Sequence, residues 1–208
     1  MSEVFQDFVK RIYARQKRVY KPKLIMAFDP GETTGFAVMH CGEILCTAQI
    51  DTPPNDIKAC WDRIDTVYDL WVDRARLLDS PYEVSCEDYR IYAHKSDSHR
   101  WSSVHTIKVV GLIQLMTQQK CRYAPIRMRM AAAAKGFVTD EKLKVWDFYD
   151  DTKGMKHSRD AVRHAIFHQC FPSEEDKAFM PEDQPSTKDS KIGVDKTAER
   201  VRQGKSIF

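Results

Sequence analysis

The sequence predicts an α/β fold: a mixed five-stranded sheet, an antiparallel three-strand meander joined to parallel strands, flanked by helices. Three observations predict it. The runs KLIMAFD (23–29), GFAVMH (35–40) and EILCTAQI (43–50) are short and apolar, and Gly31, Gly35 and Gly42 sit at or beside the breaks, which is the pattern of a meander. A long amphipathic stretch then leads into a fourth apolar run, YEVSCEDY (82–89), and a strand, helix and strand in that order form a crossover unit. Helical and strand-like patterns alternate from there to about residue 171.

Each element has its own signal. Residues 3–13 place Val4, Phe5, Phe8, Val9 and Ile12 at helical spacing, so residues 1–20 read as an amphipathic helix packed on the main domain. The meander follows. In TPPNDIKACWDRIDTVYDLWVDRARLLD the residues Ile57, Trp61, Ile64, Val67 or Tyr68, Trp71, Ala75 and Leu78 mark one face of a helix of about six turns, with Asn55 or Asp56 as its N-cap. From Ser102 or Ser103 to about Gln119, the spacing of Val104, Ile107, Val110 or Gly111, and Leu115 gives a further helix. RYAPIRMR is a fifth strand, and AAAAKGFVTDEKLKVWDFY is one helix or two short ones. The last is SRDAVRHAIFHQCF (158–171), with Ala161, Val162, Ala165 and Ile166 on its core face. The main domain spans 21–172, and residues 173–208 are polar, proline-bearing and read as a disordered tail.

Composition narrows the classes. Hydrophobic residues at 42% and charged residues at 30% exclude fibrous chains, and no run reaches the roughly 18 apolar residues of a membrane span, so a cytoplasmic chain is expected. A formal charge of +3 permits nucleic-acid binding without requiring it. The six cysteines form no CxxC pair, which argues against a zinc site and for a reducing compartment.

The acids carry the chemistry. Asp29 ends the first strand in the turn of FDPGETTGFAV, and Glu87 lies near the end of the fourth. If those strands pair in parallel, a spacing of about 4.8 Å lets the two carboxylates share a cation. His157 and Asp160 are three apart, on one face at the start of the last helix. An acid on a packed face needs a partner, and no base stands out nearby in sequence, so a metal held by three carboxylates is expected. Singly, an Asx-turn explains Asp29 and the helix dipole explains Asp160; the combination favours metal binding. His164, four beyond Asp160, is expected to be structural. Asp88 is expected to point away from Glu87, and Asp150 and Asp151 to lie in a solvated loop.

FDPGETTGFAV, VSCEDYRIY and HSRDAVRHAI, in that order, together with RWSSVHTIKVVGLIQLM, resemble the RuvC-like Holliday junction resolvases of the RNase H superfamily, particularly their bacteriophage-type members. The resemblance runs from about Leu24 to Cys170. It implies an RNase H-like nuclease domain whose Asp29, Glu87, His157 and Asp160 are catalytic and hold two magnesium ions, with manganese as a substitute. His157 is either a ligand or a group that orients or deprotonates water. The implied activity is resolution of four-way DNA junctions by paired nicks, in the host cytoplasm if the chain is phage-encoded.

Basic and aromatic residues supply candidate DNA contacts. Tyr89, Arg90, Tyr92, Lys95 and Arg100 mix phosphate-binding groups with rings that stack on an unpaired base. Arg127, Arg129 and Lys135 form a second basic stretch, expected along a DNA arm. Paired cuts on opposite strands require two active sites, hence a homodimer, with the helix bearing Val104, Ile107, Gly111, Leu112 and Leu115 as its interface. Three rivals stand beside this reading: the phosphate-binding hairpin of actin and sugar-kinase ATPases, a nuclease of the same fold acting on other branched or packaged DNA or on RNA–DNA hybrids, and an inert DNA-binding module.

Overall fold

The computed structural model describes residues 3–89, 100–120 and 126–171, with the side chains of Glu3, Arg100 to Ser103 and Asp151 outside that description. Its elements are α1 (Glu3–Arg15), β1 (Leu24–Asp29), β2 (Thr33–His40), β3 (Glu43–Asp51), α2 (Ile57–Leu77), β4 (Tyr82–Glu87), α3 (Arg100–Lys120), β5 (Ile126–Arg129), α4 (Ala131–Phe137), α5 (Asp140–Val145), a 3₁₀ turn at Asp150–Thr152 and α6 (Lys156–Cys170). The sheet order is β3-β2-β1-β4-β5. β1 and β2, and β2 and β3, run antiparallel, while β4 is parallel to both β1 and β5. This is the expected mixed sheet, in the order of an RNase H-like fold.

Local chemistry explains the connections. His40 pairs with Glu43 across a two-residue turn in which Cys41 and Gly42 both have positive φ, 52° and 80°. That is a type I′ turn, whose twist matches the flanking strands. Asp56 caps α2 by accepting from the Ala59 amide at 2.9 Å. The DPGETTG turn is tied down by threonines: the Thr52 and Thr34 hydroxyls both donate to the Gly31 carbonyl, and the Glu32 carbonyl accepts from the Thr52 amide. His105 of α3 reaches the Thr52 carbonyl at 2.7 Å, so the turn is fixed to a helix as well as to the sheet.

Strand alternation divides the sheet into two unlike faces. Leu24, Met26, Phe28, Phe36, Val38, Val84 and Cys86 pack with Ile64, Tyr68 and Val72 of α2 and Val109, Ile113 and Met116 of α3 in one core. The opposite face, under α6, carries Ala27, Asp29, Gly35, Ala37, Ser85 and Glu87, the positions alternate to those. Small residues there let α6 lie close, and the acids share that face. α1 closes over α6: Phe5, Val9 and Tyr13 are buried, the Phe5 ring sits 5.1 Å from those of Trp146 and Phe148, and Tyr13 donates to the Gln169 carbonyl.

α2 keeps most of the expected face, with Ile64, Tyr68 and Ala75 buried and Trp61 and Trp71 packed against the core, but also buries Cys60 and Val72 and leaves Ile57 exposed. On α3 the buried stripe differs from the one expected. α3 buries His105, Val109, Ile113, Met116 and Thr117, whereas Val104, Ile107 and Leu115 are 41–44% exposed. Apolar residues on both sides of α3 make its periodicity ambiguous, and the sheet takes the side that brings His105 to Thr52. Among the described residues no helix is long and apolar enough to cross a membrane.

Candidate metal centre

Asp29 and Glu87 meet because β1 and β4 are adjacent and parallel, with Phe28 beside Cys86, so the next residue of each strand projects from the same end of the same face. Burial first, then a hydrogen bond to Glu87 and the charges of Glu87 and Asp160, push the Asp29 carboxyl well above the usual range. Burial pushes Glu87 up too, but hydrogen bonds from His164 and Asp29 outweigh it, and its carboxyl is lowered. Two buried carboxyls in contact cannot both be ionised without a cation, and one proton held by Asp29 serves both.

α6 supplies the rest. A Cβ placed on Gly35 would lie 1.9 Å from the His157 carbonyl oxygen, so the first turn of α6 rests on bare β2 backbone beside Asp29. The TTG glycine thus admits the close approach of a helix of the same chain. His157 Nδ1 sits 2.9 Å from Asp29 Oδ2 and its side chain is half-exposed. The His157 amide donates to Gln49 Oε1, and Ser158 donates to the Ala48 carbonyl, fixing the helix start against β3.

His164 enters the site. Fully buried, its Nε2 is 3.3 Å from Glu87 Oε2, and single donor atoms of Asp29, Glu87 and His164 all lie within 4.8 Å of one another. The sequence did carry a signal: 157, 164 and 168 fall seven and four residues apart, one stripe of a helix facing the sheet. These donors fit a divalent cation, for two hard carboxylates suit magnesium and an imidazole admits manganese. The raised Asp29 carboxyl beside Glu87 marks charge that such a cation would balance.

Asp160 differs from its expectation. Its side chain is 6% exposed and both oxygens are engaged, Oδ1 by Arg163 and Oδ2 by Lys135 Nζ at 2.9 Å. A base three residues on along the helix, and another from α4, provide the partners that the sequence had not revealed. Arg163 also binds Asp140 and donates to the Val138 carbonyl, which ties α6 to α5 and its approach. A cavity of about 560 Å³ opens beside the pair, lined by Lys135, Thr139, Lys156, Arg159, Asp160 and Arg163 among others.

The expected DNA contacts separate. Arg129 is a correction: it is buried, donates to the Phe171 carbonyl and lies over the Phe167 ring, so it belongs to the interior. Strand alternation aims it, like Arg127, at the α6 side. Arg127 is partly buried, and its Nε has no hydrogen-bond partner among the described residues. Tyr89 is partly exposed just beyond Glu87. Arg90, Tyr92 and Lys95, the Arg100 side chain and the tail from 173 lie outside the described residues.

Sheet order and cluster together define a chain of RNase H-like fold with a candidate metal centre on the sheet face covered by α6. Among solved structures it is similar to T. thermophilus RuvC in complex with a Holliday junction substrate, at 14% identity and a TM-score of 0.49 over 72% of this chain and 94% of that one. It is likewise similar to a Thermus thermophilus RuvC structure, at 15% identity and a TM-score of 0.48 over 72% and 95%. No family model and no curated protein matches the sequence.

Proposed function

We propose that this chain is a divalent-cation-dependent, structure-selective endodeoxyribonuclease that resolves four-way DNA junctions, acting as a homodimer with magnesium or manganese. The convergence of Asp29, Glu87 and His164 donors within 4.8 Å, at the end of two adjacent strands, carries the reading. A divalent cation bound there supplies charge neutralisation on the phosphate and activation of water. Asp29 and Glu87 hold it, and His164 braces Glu87 or adds the third donor. Half-exposed His157, hydrogen-bonded to Asp29, is placed to orient a water or take its proton. The sequence motifs around Asp29, Glu87 and Asp160, which resemble those of RuvC-like resolvases, support a junction over other substrates.

Exposed Val104, Ile107 and Leu115 on α3, with open space beside Gly111 among the described residues, support the dimer. Isologous contact along that helix gives two active sites for paired nicks. The test compares a four-way junction, a linear duplex and an RNA–DNA hybrid side by side, with and without magnesium. Magnesium-dependent cutting confined to the junction is expected; equal cutting of the duplex or hybrid removes the resolvase reading.

A further inference from the structure

The resemblance implies two metal ions, and a second ion would draw on Asp160. As folded, neither oxygen of Asp160 is free: Arg163 takes one and Lys135 the other. Lys135 comes from α4, which leaves β5 next to the Glu87 strand and packs against α6, so the topology carries its ammonium to the rim of the cluster. Its charge is felt beyond Asp160. Lys135 lowers the carboxyl pKa of both Asp29 and Glu87, and against burial, which works the other way, Asp160, Glu87 and Asp29 together raise its own.

From this geometry we propose that Lys135 supplies the second positive charge of the site, in place of a second divalent ion, so that the chain binds one cation at Asp29, Glu87 and His164. The proposal rests on the metal-centre reading above. An ammonium tethered at 2.9 Å to Asp160 is a fixed charge, and its side chain is 46% exposed towards the cavity, where a phosphate oxygen can meet it. A second cation would have to displace it and face Arg163 as well. With Lys135 removed, one Asp160 oxygen and one unit of positive charge are released, which is the vacancy a second ion needs.

The experiment counts manganese ions bound by the full chain, without DNA, by electron paramagnetic resonance and calorimetry. Wild type should bind one, Lys135→Met two, and Lys135→Arg one again, because the guanidinium restores the charge. Adding Asp160→Asn to Lys135→Met should return the count to one. Circular dichroism of each variant checks that the fold is kept; should Lys135→Met unfold, Lys135→Gln takes its place. Two ions on wild type, or one on whichever of Lys135→Met and Lys135→Gln keeps the fold, overturns the proposal and leaves the metal centre standing. No ion on any of these proteins removes the metal centre and the proposal with it.

Discussion

The carbonyl of His157 occupies the space that a side chain at residue 35 would need: a Cβ on Gly35 would lie 1.9 Å from that oxygen. Gly35 pairs with Asp29 across β1 and β2, so one backbone contact sets the distance between the first acid and the helix that brings His157, Asp160 and His164. The neighbour at Gly35 is backbone, which cannot swing away.

Gly35→Ala should therefore lift the start of α6 from the sheet. We expect a loss of about 3 kcal/mol, the upper part of the range for overpacking, in chemical denaturation. Manganese affinity should fall as well, because His164 and His157 move with the helix. An alanine variant with unchanged stability and metal affinity would show that α6 has room to shift.

The acids should divide into two kinds. Asp29→Asn replaces a carboxyl that burial and its acidic neighbours keep protonated, so it should fold at least as stably as wild type, whereas Glu87→Gln weakens the hydrogen bonds from His164 and Asp29 that hold its charge and should cost about 1 kcal/mol; both should still bind a junction. Cleavage should drop by more than about 100-fold, beyond the usual effect of removing an outer support of a metal site. Asp160→Asn should behave otherwise. It strips a buried carboxylate from Arg163 and Lys135, and should cost about 3 kcal/mol, as broken buried pairs do. Thermal melts of the three variants beside a nicking assay distinguish the two patterns.

A buried ionic chain at the other end of the same sheet face gives a pH prediction. Lys23 Nζ lies 2.7 Å from Glu83 Oε2, and His168 Nε2 lies 2.5 Å from the same oxygen. His168 Nδ1 faces Arg129 Nη2 at 3.3 Å, and a guanidinium can only donate, so His168 is the neutral tautomer with its proton on Nε2. Burial brings His168 down from 6.5 to about 4, while bonds from His168 and Lys23 overcome burial and bring Glu83 down to about 2. Between pH 6.5 and 4 the unfolded chain takes up a proton at His168 that the folded chain refuses, so stability falls as pH falls. Asp29, with its raised carboxyl, contributes in the opposite sense over this range, so the measurement must be a difference. Wild type should lose about 3 kcal/mol relative to His168→Gln between pH 6.5 and 4. Parallel curves for the two proteins would refute the assignment.

Assembly is tested on α3. Ile107→Glu places a charge on the exposed apolar stripe without touching the buried face of Val109, Ile113 and Met116. Light scattering should give a mass twice that of the 24.2 kDa chain for wild type and the monomer mass for the variant. On a cruciform plasmid the variant should nick without linearising. A wild-type monomer, alone and on junction DNA, would remove the dimer.

The sequence by itself determined the elements and two of the acids. Short apolar runs broken at glycine-bearing turns mark β1, β2 and β3, Cys41-Gly42 closes a hairpin by local dihedral preference, and Asp56 caps α2 from within its own turn. The crossover rule then makes β4 parallel to β1, which is enough to bring Asp29 beside Glu87. Only the tertiary structure decided which partners the other charges find. Lys135 reaches Asp160 from a different helix, Arg129 turns inward to Phe171, and His164 meets Glu87 because α6 lies over the small residues of one sheet face. α3 likewise had two apolar stripes to offer, and the sheet took the one with His105. Periodicity along a chain states which residues share a face; which surface that face meets is fixed by burial against distant segments, and no local pattern encodes it.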